Sequence, residues 1–114
     1  MNIDSFLEKL NKTPQDITFS ETIAVIEDNY NFSPTAFENG LLHNTAGENS
    51  GSCKIFAFAE LQKLSKEATL SCFGAYYFEE VLGNLEGTNH QNIRNFMKSG
   101  WDGIAFYGEA LTSK

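Results

Sequence analysis

Residues 53–64 constrain the fold more than any other stretch. Ile55, Phe56, Ala57, Phe58, Ala59, Leu61 and Leu64 put apolar side chains nearly all round a helix, and a helix without a polar face must be central. The chain has 114 residues, which predicts one domain, residues 1–114. A chain of this size buries roughly two-thirds of its unfolded surface and can hold a core without metals or disulfides. Ten Phe, four Tyr and one Trp supply bulk for that core.

The segments around it are mostly helical. Ile3, Phe6, Leu7 and Leu10 share one face of a short helix, which Pro14 stops. Thr18 and Glu21 make a capping box for a second helix carrying Phe19, Ile23, Ile26 and Tyr30. Ser52 is the expected N-cap of the central helix. Ser65 opens a fourth helix with Leu70, Phe73, Tyr77 and Val81 on one face, Gly74 inside it and Gly83 as its stop. Thr88 and Gln91 form a further capping box for a fifth helix, with Ile93, Phe96 and Met97 buried and Gly100 at its end. Ile104–Tyr107 is β-prone and pairs with Thr35–Phe37 in a minimal ribbon. The expected fold is mainly α: about five helices with at most a two-stranded β ribbon.

Charge excludes some functions. The formal net charge is −7 and the single arginine is Arg94. Nucleic acid and anionic membranes both demand a basic footprint, which is missing here. No apolar run approaches a membrane span, and the first ten residues lack the basic and apolar regions of a secretory signal. Cys53 and Cys72 suit a reduced, cytoplasmic protein. A monomer and a homodimer through the aromatic surplus are both compatible with the composition.

Asn39–Lys54, N-G-L-L-H-N-T-A-G-E-N-S-G-S-C-K, is the stretch that invites chemistry. A phosphate-cradling loop fails on spacing, and Lys54 is followed by Ile55 rather than Ser or Thr. A metal site would have to gather His43 and His90 by folding alone, since neither has a ligand at metal-binding spacing. No cofactor is implied. Cys53, in the first turn of a helix, is a candidate nucleophile with His43 or His90 as base; a buried, inert thiol is the plain alternative. The remaining possibility is a polar pocket between the 39–54 loop and the 89–94 helix start. Asn39, His43, Asn44, Asn49, Ser52, Lys54, His90, Asn92, Arg94 and Asp102 would supply its polar groups and Trp101, with Tyr76 and Tyr77, its walls. Lys54 and Arg94 sit near helix starts, an unfavourable place for a cation. Glu48 and Asp102 are their expected partners.

Several longer motifs carry a resemblance. F-S-P-T-A-F-E-N-G at 32–40, N-T-A-G-E-N-S-G-S-C-K-I-F-A-F-A at 44–59 and C-F-G-A-Y-Y at 72–77 resemble the HopJ type III effector family. H-Q-N-I-R-N-F-M at 90–97 and G-W-D-G-I-A-F at 100–106 do the same. The resemblance implies a bacterial protein of effector type with an unknown molecular activity. It implies delivery into a host cell by type III secretion, where the partner would be a host protein or a small molecule. It transfers no catalytic residue. The alternative is a resident cytosolic bacterial enzyme or ligand-binding protein, and the regular amphipathic pattern of residues 1–10 favours residence over a poorly structured export leader.

Overall fold

A computed structural model describes residues 2–114. Helix α1 (Ile3–Lys12) is capped by Asn2, whose side chain accepts from the Ser5 N–H at 2.7 Å, and it buries Phe6 and Leu10. A 3-10 turn, Pro14–Asp16, leads to α2 (Phe19–Asn29). The Thr18–Glu21 capping box forms as expected, and Glu21 also takes an ion pair from Lys9 at 2.9 Å, tying α2 to α1.

Helix α3 (Ser50–Leu61) is the central one. Ile55, Phe56, Phe58 and Ala59 are fully buried. Phe56 is the hub, with ring centroids 6.0 Å from Phe37, 5.5 Å from Phe73 and 4.9 Å from Phe96. Phe58 packs edge-on against Phe6 and Tyr30. Edge-to-face aromatic pairs of this kind contribute beyond the area they bury.

The β content exceeds expectation. Strand β1 (Tyr30–Phe32) pairs antiparallel with β5 (Leu111–Ser113), and β2 (Phe37–Asn39) lies between β3 (Leu42–Asn44) and β4 (Ile104–Phe106). The expected ribbon therefore exists in part: Phe37 faces Phe106 and Asn39 faces Ile104, but the strand runs on past Phe37. The third strand comes from residues read as loop. Gly40, at φ +63°, turns the chain and its N–H donates to the Gly103 carbonyl at 2.9 Å, so residues 37–44 form a hairpin.

Three helix boundaries also differ from the sequence reading. Helix α3 starts at Ser50, with Asn49 rather than Ser52 at its N-cap. Helix α4 (Lys66–Ser71), capped by Ser65 as expected, is short. Gly74 takes φ +60° and breaks it, and a π-helical turn, Tyr76–Val81, follows. A Cβ at Gly74 would lie 2.7 Å from the Phe19 nitrogen and 3.0 Å from the Ile17 carbonyl oxygen. The chain breaks there because the α2 entry segment passes too close for any side chain. Helix α5 (Gln91–Ser99) ends at Gly100 as expected. Its capping box does not form: His90 is the N-cap, and the Gln91 side chain turns back to the Thr88 carbonyl.

Candidate functional site

The starts of α3 and α5 face one cleft of about 570 Å³. Asn49, Gly51 and Ser52 line it from α3, and His90 to Ile93 line it from α5. Phe19, Leu42, Phe73 and Tyr76 close the sides. Both N-cap residues adopt the left-handed conformation, Asn49 at φ 54° and His90 at φ 50°, and neither helix has a side-chain cap or an acidic residue in its first turn. Positive φ is uncommon outside glycine, with Asn and His among the types that adopt it most readily, and such backbone recurs at functional sites; Lys63, at φ 56°, adopts it away from the cleft. First-turn N–H groups have no partner within the helix, and here no side chain supplies one. The π-helical turn that begins at Tyr76 is a third backbone irregularity at the same place.

A buried amide network holds the two helix starts together. Asn44 and Asn92 exchange side-chain hydrogen bonds, with Asn44 Nδ2 donating to Asn92 Oδ1 at 3.1 Å and Asn92 Nδ2 donating to Asn44 Oδ1 at 2.9 Å. Asn49 Nδ2 donates to Asn44 Oδ1 at 2.7 Å, which ties the α3 cap to the pair. Asn39 Nδ2 donates to the Asn92 carbonyl at 2.7 Å and to its Oδ1 at 3.0 Å. Asn39, Asn44 and Asn92 are buried. Asn39 Oδ1 is buried with no partner. The Asn44–Asn49–Asn92 part is paired on both sides, and paired networks of this kind rigidify a site.

The expected pocket residues therefore divide. Asn49 and His90 line the cleft, and Asn39 and Asn44 brace it from behind through Asn92. Lys54 does not line it. Its ammonium pairs with Glu27 at 3.1 Å, not Glu48, and lies 4.9 Å from the Phe32 ring centroid. Arg94 does not line it either, and its expected pairing with Asp102 is absent. The buried guanidinium donates to the carbonyls of Asn84, Leu85 and Asn89 and to Asn89 Oδ1, clamping the turn before α5. Trp101 donates its indole N–H to the Leu64 carbonyl at 2.9 Å and packs on Phe96. His43 stands on the outer sheet face, bonded to Glu38, which also accepts from Tyr107 at 2.8 Å. Those hydrogen bonds from His43 and Tyr107 pull the Glu38 carboxyl below its ordinary range, and the carboxylate pushes the Tyr107 phenol up.

The cysteines behave as core residues. Cys53 is buried, with its thiol 3.5 Å from the Thr35 carbonyl oxygen. Burial pushes it up, against the direction a nucleophile needs. Burial takes Cys72 to about 12. Both thiols are free. Among the described residues no three His, Cys, Asp or Glu side chains gather as a metal site, and no helix is long and apolar enough to cross a membrane. Phe19, Leu42, Phe73, Gln91 and Ile93 were not among the expected binding residues, whereas Asn92 was. Their periodicity marks core or cap positions, and nothing in it marks a cleft wall.

The chain matches one solved structure closely. The crystal structure of VPA0580, a protein of unknown function, is 57% identical, with a TM-score of 0.98 over 100% of this chain and 95% of that one. No curated protein matches. The family model described as HopJ type III effector protein matches residues 3–111. With that match over nearly its whole length, the chain belongs to the HopJ type III effector protein family.

Proposed function

We propose that this protein binds a small molecule in the cleft between the starts of α3 and α5. The convergence of two uncapped helix starts, each opened by a left-handed residue, on one volume of about 570 Å³ carries the reading. That volume is in the range of small-molecule sites, and a mainly apolar wall with a few convergent polar groups is their usual composition. Gln91 is exposed at the cleft, so Gln91→Trp should fill it without touching the core. Fragments that raise the melting temperature of the native protein are expected to lose that effect in Gln91→Trp, with the far-ultraviolet circular dichroism unchanged. Stabilisation that survives the wedge would place the binding elsewhere.

The family description supports a second reading, delivery into a host cell. Fusing residues 1–50 to a translocation reporter tests it. A signal that depends on the type III apparatus is the expected result, and a signal no greater than in a secretion-deficient strain would refute it.

A further inference from the structure

Taking the cleft as the ligand site, we propose that it accepts a neutral, planar heteroaromatic ring whose edge carries hydrogen-bond acceptors. The lining has two kinds of surface. One is aromatic. The Tyr76 ring lies 5.1 Å from the His90 ring, tilted by 39°, and 5.0 Å from Phe19, edge to face. Tyr76 is 39% exposed, so part of its face is free to stack. The other is neutral and polar: the Asn49 and Gln91 amides and the Ser52 hydroxyl, with the Asn92 amide behind them engaged by Asn39 and Asn44. Stacking faces combined with amide groups are what proteins use to read a base-like ring.

Charge narrows the class further. In a chain with 20% charged residues, no Asp, Glu, Lys or Arg is among the described residues lining the cleft. The nearby imidazole, His90, is already bonded through Nε2 to Glu80 at 2.8 Å. A strongly anionic ligand would gain from the two helix ends but would find no cationic side chain and would meet a protein of net charge −7. A cation could use the aromatic faces, but the positive ends of two helices oppose it. A neutral ring with carbonyl oxygens or ring nitrogens meets neither penalty, and its acceptors match the free first-turn N–H groups.

Four probes titrated into ¹⁵N-labelled protein separate the alternatives: uracil, benzene, inorganic phosphate and tetramethylammonium. Uracil is expected to shift the amides of Asn49, Ser52, Gln91 and Ile93, with millimolar affinity as befits its size. Benzene should bind at least about tenfold more weakly for lack of the polar edge. Tyr76→Ala should weaken uracil about tenfold, and Tyr76→Phe should keep most of the affinity. Phosphate or tetramethylammonium shifting these amides while uracil does not would overturn the ligand class and leave the cleft standing. If none of the four moves them, the ligand class and the cleft reading both fall.

Discussion

Gly74 shows how one residue can reverse its apparent meaning. Taken as a position inside a regular helix, it costs about 1 kcal/mol against Ala, so Gly74→Ala would stabilise the protein. At φ +60°, with the Phe19 nitrogen 2.7 Å from where the Cβ would lie, the sign changes. Gly74→Ala is expected to destabilise by about 2 kcal/mol or more, read as a lower urea midpoint with an unchanged slope. A midpoint equal to or above the native one would contradict the close approach. Lys54 and Arg94 were misplaced for a related reason. Each breaks a local rule about charge at a helix start, and a broken rule suggested a paired charge, Glu48 or Asp102, or a ligand. In both cases tertiary contacts supply the compensation: Glu27 and the Phe32 face for Lys54, and a set of carbonyl oxygens for Arg94. A partner 27 residues away leaves no mark in the local sequence.

Among the elements, those specified by local chemistry were readable. The apolar run of α3, the α2 capping box, the Ser65 cap and the Gly100 stop all follow from short-range preferences. Strands of three residues do not, because a segment that short has no measurable alternation. Strand β3 pairs only because Gly40 reverses the chain, and β1 pairs with a strand far along the sequence, Tyr30 opposite Ser113. The candidate site was readable in its location and less so in its members. The loop and the 89–94 helix start were identified as facing segments, and Asn49 and His90 do line the cleft. Ser52 and the Thr88–Gln91 pair looked like ordinary caps. Left-handed backbone at Asn49 and His90 replaced those caps, so the first turns that looked satisfied are the ones left open.

At the level of the molecule, the radius of gyration is 13.1 Å, close to the roughly 13 Å expected of a folded chain this long. The aromatic hub at Phe56 and the Asn39–Asn44–Asn92 network lie on adjoining sides of the same architecture. The hub fixes α3 against the rest of the fold, and the amides fix the α3 and α5 starts to each other. On the proposed reading the ligand meets two helix starts already fixed to each other and binds without a large ordering cost. Crystals soaked in a mixture of small planar heterocycles test this most directly. Ring density is expected against Tyr76 and His90, bonded to backbone N–H groups in the first turns of α3 and α5, with both helices unmoved. A cleft holding only solvent, with ring density at another surface such as the Arg94 side of α5, would contradict it.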